Sequence, residues 1–140
     1  PLLKGLKHLN RLEQVLIRQA LDNSDADDFL VSDLNNNIVE ASAANVFWFC
    51  GEQIFTPKIV NAGVLGLYRK HLLEFDVKIK EVQTSSADLN NITSMFICSC
   101  VMGIVPVVQY HSQLLDIAPV RELRKRFLQH CQSQKNIKEI

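Results

Sequence analysis

Lys7 is the reactive side chain whose surroundings this sequence specifies most closely. It lies two residues after Gly5 and three before Asn10. Asn10 is a favoured helix N-cap, and Glu13 falls at the third helical position, from which it can reach back to that cap. A lysine amine can act as a nucleophile or, when unprotonated, as a base. The pattern predicts a lysine fixed by a helix start, although its position alone is more typical of an ordinary surface lysine.

Residues 5–16, GLKHLNRLEQVL, resemble the lysine segment of fold type IV pyridoxal 5'-phosphate (PLP) enzymes, and among them the 4-amino-4-deoxychorismate lyase family. Further similar stretches run through Pro106. In these enzymes the motif lysine carries the cofactor as a Schiff base, so the resemblance implies that role for Lys7. The three-residue step from Lys7 to Asn10 matches the lyases and the D-amino-acid aminotransferases. Lys4 is the nearby rival, but a lysine rather than an asparagine lies three residues after it.

Glu40 is the second candidate for the cofactor site. It precedes the small residues 41–44, with Asn45 five residues on and Phe47 two further. This E-x(4)-N-x-F pattern resembles the family segment whose glutamate faces the pyridine nitrogen of PLP. A carboxylate there keeps the ring protonated, and a protonated ring is the stronger electron sink. Without the resemblance, Glu40 is typical of a solvent-facing strand residue.

Residues 63–69, GVLGLYR, resemble the phosphate loop of the same family. By that resemblance, Val64 contacts the cofactor ring, while main-chain amides of Gly66, Leu67 and Tyr68 surround the phosphate. Free N–H groups at a helix N-terminus favour an anion. A lone G-x-x-G is weak evidence, because glycines open many helices for steric reasons. Many relatives carry Thr or Met where this chain has Tyr68.

A third phosphate contact is implied at Ser99 and Cys100, which follow an apolar stretch. Aminotransferases commonly place a threonine at the position of Cys100, so the resemblance here leans toward the lyases. Cys98 and Cys100 alternate onto one strand face, yet no histidine lies nearby at ligand spacing. We therefore expect no metal site.

Composition excludes several classes of partner. The chain has 140 residues, enough for one domain, and fifteen basic residues balance fifteen acidic ones. No net field favours nucleic acid or an anionic membrane surface. No apolar run reaches the length of a membrane span and no signal-peptide pattern occurs. Four cysteines without CxxC spacing are typical of reduced, buried thiols, which predicts a cytoplasmic protein.

The elements that must position these residues predict a mixed α/β fold, with a largely antiparallel, barrel-like sheet flanked by helices. A first helix after Asn10 is expected to bury one apolar face, formed by Leu12, Val15, Leu16, Ala20 and Leu21. Strands are predicted at residues 29–34, 38–40, 45–50, a short stretch ending at 57, 77–82, 94–99 and 104–108. Helices are predicted at residues 63–74, 86–90 and 117–132. Pro106 argues that the last strand is an edge or carries a bulge.

The resemblance implies a function as well as a fold. It predicts a PLP-dependent lyase that converts 4-amino-4-deoxychorismate to 4-aminobenzoate and pyruvate, a step toward folate. Residues 1–140 then form one domain, the C-terminal PLP-binding domain of a two-domain, homodimeric enzyme whose N-terminal domain is absent. The alternatives are a D-amino-acid-type PLP aminotransferase, or a domain that by itself binds neither cofactor nor substrate well.

Overall fold

The computed structural model describes residues 5–7, 9 and 12–137. Its α-helices are α1 (Leu12–Asp22), α2 (Leu67–Phe75) and α3 (Ala118–Ile137), with a 3-10 helix at Ser86–Asn91. Its strands are β1 (Leu30–Ser32), β2 (Ile38–Ala41), β3 (Asn45–Cys50), β4 (Gln53–Pro57), β5 (Lys80–Val82), β6 (Ser94–Ser99), β7 (Gly103–Val107), β8 (Gln109–Tyr110) and β9 (Gln113–Leu114). The predicted cap at Asn10 and the rival lysine Lys4 lie outside the described residues.

A five-stranded sheet in the order β5-β4-β3-β6-β7 carries the fold. Its neighbours are antiparallel except β4 and β5, which are parallel and connected through α2. The predicted mixed α/β class, with a mostly antiparallel sheet and flanking helices, is confirmed. Within the described residues the five strands keep this linear order and do not close into a barrel. β7 is an edge strand, and Pro106 can lie in it because an edge strand tolerates a missing N–H donor.

The sheet has an apolar core on each face. On one face, α2 and α3 pack against β3 and β6, and the rings of Phe47 and Phe96 stack with centroids 4.8 Å apart. Leu72 of α2 and Val120 of α3 are fully buried there. On the other face, Trp48 and neighbouring apolar residues form a second cluster. β2 and β3 are buried along nearly their whole length and provide rigid support for the polar residues they carry.

Helix α1 corrects one prediction. Leu12, Val15 and Leu16 are 67%, 60% and 57% exposed, and Leu21 is the one buried residue of the helix. The apolar spacing is present, but periodicity shows only which residues share a face. Burial requires another surface against that face, and the described chain provides one only at the last turn. The predicted buried face of α1 is therefore an exposed apolar face.

Several element boundaries also differ from prediction. Helix α2 begins at Leu67 rather than at residue 63, because Gly63 has φ 94° and Gly66, the N-cap, is extended. β1 and β5 keep only three residues each of the predicted 29–34 and 77–82. The hairpin of β8 and β9 was missed, since two-residue strands carry too few residues to show an alternating pattern. None of the helices in the described part of the chain combines the length and apolarity needed to cross a membrane.

Candidate functional site

Glu40 and Val64 are brought together although they lie far apart in sequence. Glu40 lies on β2 and is 9% exposed. One of its carboxylate oxygens, Oε2, accepts the backbone N–H of Val64 at 2.9 Å. Burying a carboxylate is costly unless hydrogen bonds compensate, and this bond provides part of that compensation. The glutamate predicted to face the cofactor ring thus also holds the loop predicted to contact that ring.

The segment that carries Lys7 is tied to the same loop. Gly5 donates its N–H to the carbonyl of Gly63 at 2.9 Å and accepts the N–H of Leu65 at 3.0 Å. These bonds form a parallel bridge between Gly5 and Val64. Lys7, two residues on, is exposed. A backbone bridge therefore fixes the chain just ahead of Lys7. The sequence predicted instead that the helix after Asn10 fixes this lysine.

Gly66 and the start of α2 form an anion-binding geometry. Gly66 is the N-cap of α2, with an extended backbone (φ −62°, ψ 142°) and no side-chain hydrogen bond to the first turn. The first N–H groups of a helix have no acceptor inside the helix, so those of Leu67 and Tyr68 are available to a ligand. The positive end of the helix dipole lies at the same place. The structure thus groups Gly66, Leu67 and Tyr68 at one helix N-terminus, where the N–H of Gly66 is taken by the carbonyl of Val64 at 3.0 Å.

The Tyr68 side chain belongs to the core rather than to this anion site. Its ring lies 5.3 Å from that of Phe127, centroid to centroid, and burial raises the pKa of its hydroxyl. The hydroxyl lies beside Gly103, since a Cβ at that residue would be 3.5 Å from it. Any contact between Tyr68 and an anion is therefore made by the backbone, in line with the sequence-based expectation.

Ser99 and Cys100 form a separate turn. Ser99 ends β6, pairs in register with Gly103, and accepts the N–H of Met102 on its Oγ at 3.2 Å. Cys100 follows it and is exposed, whereas burial raises the pKa of the Cys98 thiol to about 12. All four cysteines are free thiols, but only Cys98 is buried, which corrects the expectation of buried thiols. Nowhere in residues 5–7, 9 and 12–137 do three or more His, Cys, Asp or Glu side chains form a metal-binding group.

Two residues at the site were not predicted. Asn45, 6% exposed, donates from Nδ2 to the carbonyl of Val64 at 2.8 Å. Arg69, 3% exposed, donates from Nη2 to the carbonyl of Pro57 at 2.9 Å and pairs with Glu81. Arg69 could have been noticed because it shares helical spacing with the core residue Leu72. Asn45 was visible only as a member of the pattern that begins at Glu40.

The arrangement offers three chemical groups around one short loop. A lysine lies two residues from the bridge to the loop, a buried carboxylate binds the loop amide, and an uncapped helix N-terminus follows the loop. A flat anionic cofactor with a protonated ring nitrogen fits this set, because each of its ends meets a group of suitable charge. The turn at Ser99 has no direct hydrogen bond to the loop among the described residues, and lies one residue beyond the partner of Asn45 on β6.

The chain is similar in sequence and fold to several known proteins. The chain is 32% identical over 111 residues to an aminodeoxychorismate lyase of Vibrio harveyi, which covers 76% of this chain and 41% of that protein. It is similar to a crystal structure of 4-amino-4-deoxychorismate lyase from Pseudomonas aeruginosa, with a TM-score of 0.81, 31% identity, and coverage of 90% of this chain and 48% of that one. An aminotransferase from Brucella abortus bound to PLP shares the fold, with a TM-score of 0.77, 18% identity, and coverage of 83% and 43%. The chain therefore spans about half the length, or less, of these relatives.

The profile of one protein family covers most of the sequence. The family is described as amino-transferase class IV, and the match runs over residues 1–110. These residues contain Lys7, Glu40, the loop at 63–66 and the turn at Ser99. We conclude that the chain belongs to the amino-transferase class IV family.

Proposed function

We propose that this chain is the C-terminal, PLP-binding domain of a lyase that converts 4-amino-4-deoxychorismate to 4-aminobenzoate and pyruvate, in the cytoplasm and toward folate. The observation that carries the proposal is the loop at Val64. This loop is bound at once by the buried Glu40 carboxylate and by the backbone just ahead of Lys7. The lyases at 31% and 32% identity support the reaction type.

Each end of the cofactor is assigned to residues of this chain. The amides of Leu67 and Tyr68 hold the phosphate at the start of α2, and Val64 contacts the ring. The predicted role of the Gly66 amide is corrected, because its N–H donates to the carbonyl of Val64 at 3.0 Å and Gly66 only lines the phosphate site. Glu40 faces the pyridine nitrogen and keeps it protonated through a charge-assisted hydrogen bond. Backbone groups of Ser99 and Cys100 complete the phosphate site. Lys7 holds the cofactor covalently at rest.

The chemistry divides between cofactor and protein. When bound, PLP supplies an electron sink for a carbanion at the α-carbon of the substrate. With its amine free, Lys7 would accept the α-proton of the substrate at its Nζ. Glu40 maintains the proton on the ring nitrogen throughout. Loss of pyruvate would make the substrate ring aromatic, and the Lys7 amine would then be available to hold the cofactor again.

An aminotransferase of the D-amino-acid type is the second candidate, since it would use the same lysine, glutamate and phosphate loop. A single-turnover assay separates the two reactions. A lyase forms 4-aminobenzoate and pyruvate in equal amounts from 4-amino-4-deoxychorismate, and its cofactor stays in the aldehyde form. If the protein is the lyase, adding a D-amino acid should leave the cofactor in the aldehyde form. Stoichiometric conversion to pyridoxamine phosphate with a D-amino acid, without lyase products, would replace the proposal by the aminotransferase.

Apolar residues are exposed in the N-terminal region of the chain. We include in the proposal an N-terminal domain and a homodimer, because either could cover such residues. Leu6 and Leu9 are 58% and 100% exposed, and the apolar face of α1, which follows them in sequence, is exposed as well. An apolar surface of this kind is typical of an interface. We propose that an N-terminal domain of the same enzyme covers it, closes the cofactor cleft and contributes contacts to the substrate.

The chain alone should therefore be compared with a two-domain form, in which an N-terminal domain precedes Pro1. We expect the 140 residues to fold, to bind PLP at least about tenfold more weakly than the two-domain form, and to show no lyase turnover. Cofactor titration and product formation measure both quantities. Full turnover by the 140 residues alone would show that the domain boundary or the site is misplaced.

A further inference from the structure

Asn45 links three parts of the candidate site. It is the first residue of β3, and its backbone lies in register with Cys98 on β6, one residue before Ser99. Its side chain extends to the loop and donates to the carbonyl of Val64 at 2.8 Å. Because β3 is buried almost throughout, this side chain projects from a rigid element.

Both backbone polar groups of Val64 are bound by side chains. Its N–H is accepted by Glu40 on β2, and its carbonyl is bound by Asn45 on β3. The two side chains lie five residues apart, across the turn between neighbouring strands. Their separation is set by β2 and β3, so the loop cannot shift along either strand without breaking one of the two bonds.

Asn45 also explains why residue 66 is glycine. The backbone of Gly66, with φ −62° and ψ 142°, is allowed for any L-residue. Conformation therefore does not require glycine at this position. A Cβ built on Gly66 would instead overlap the Oδ1 atom of Asn45. The absence of a side chain at Gly66 thus leaves room for the Asn45 amide beside the N-cap of α2.

We propose that Asn45 is a positioning residue that sets the distance between Glu40 and the N-terminus of α2. The inference rests on the proposed function, in which these two points hold opposite ends of PLP. A rigid cofactor binds tightly only when both anchors are already at the correct separation, because rearrangement on binding costs affinity. Asn45 acts through Val64 and Gly66, and the proposal gives it no contact with the cofactor.

A double-mutant cycle in the two-domain form tests the inference. Gly66→Ala should weaken PLP binding about tenfold or more, because the new methyl group displaces the Asn45 amide. In an Asn45→Ala background the methyl group has room, so the same change should cost less than about threefold. In an Asn45→Asp background an oxygen still occupies the space, and Gly66→Ala should stay costly. Titration of each apoprotein with PLP gives the dissociation constants.

A matched control separates positioning from loss of stability. Leu123→Ala removes a buried side chain of α3 and should destabilise the protein without touching the loop. We expect its PLP affinity to stay within about twofold of wild type, while Asn45→Ala weakens binding and also moves the pH at which the visible cofactor band titrates. The pH at which that band titrates depends on where the Glu40 carboxylate lies relative to the cofactor ring. A general loss of stability would not change that position.

Three results would overturn the inference. Equal effects of Gly66→Ala in the wild-type and Asn45→Ala backgrounds would remove the contact on which it rests. An equal loss of affinity in Leu123→Ala would assign the effect to stability. Wild-type protein that binds no PLP would overturn the proposed function and the inference together. In that last case the same cycle, measured on the free energy of unfolding, still tests the contact between Asn45 and Gly66.

Discussion

Replacing Lys7 by alanine is expected to lower lyase turnover in the two-domain form by about a thousandfold or more. The variant loses both the covalent attachment of the cofactor and the base that accepts the α-proton, and proton transfer by a positioned base is worth about 10²–10⁴-fold by itself. Stability should not change, because Lys7 is exposed. Initial rates of 4-aminobenzoate formation and the free energy of unfolding measure the two effects.

Lys58→Ala is the matched control, since Lys58 is also exposed and follows β4 directly. Its turnover should equal that of wild type. If Lys7→Ala retained more than about a tenth of wild-type turnover, Lys7 would be an ordinary surface lysine, because loss of a base alone exceeds that effect.

Glu40→Gln is expected to slow turnover by about 10- to 100-fold while the loop stays in place. The glutamine carbonyl can still accept the N–H of Val64, so the hydrogen bond at 2.9 Å has a neutral replacement. A neutral amide cannot hold the proton on the ring nitrogen as a carboxylate does. Losing a charge-assisted hydrogen bond costs about 1.5–3 kcal/mol, which corresponds to that range of rates.

The kinetic constants distinguish this role from a packing role. We expect kcat to fall while the dissociation constant of PLP changes less. Glu52→Gln is a suitable control, because Glu52 lies exposed in the turn between β3 and β4. An unchanged kcat in Glu40→Gln would show that Glu40 only binds the loop and has no role at the cofactor ring.

The central strands were predictable because their patterns are local. β3 and β6 begin and end where predicted, since each is a continuous apolar run bounded by turn residues. Between β1 and β2, Asn36 adopts φ 61°, a left-handed angle that asparagine tolerates better than most residues. Patterns within such short windows carry the fold class.

The remaining features depend on partners distant in sequence. The contact between Glu40 and Val64 joins residues 24 positions apart, so the family resemblance indicated both residues but not their hydrogen bond. Helix α2 starts late because Gly66 is extended, and at that residue a Cβ would overlap Asn45, which lies 21 positions away in sequence. The face of α1 was predicted correctly as apolar and wrongly as buried, because burial depends on a surface that the described chain does not provide.

Trapping the cofactor on the protein tests the central claim most directly. Borohydride reduces a covalent lysine–PLP link to a permanent one, and peptide mapping by mass spectrometry then identifies the modified lysine. The two-domain form, incubated with PLP and reduced, should carry one cofactor on the peptide that contains Lys7, and Lys7→Ala should carry none. Modification of Lys4 in place of Lys7, or no specific modification at all, would contradict the account.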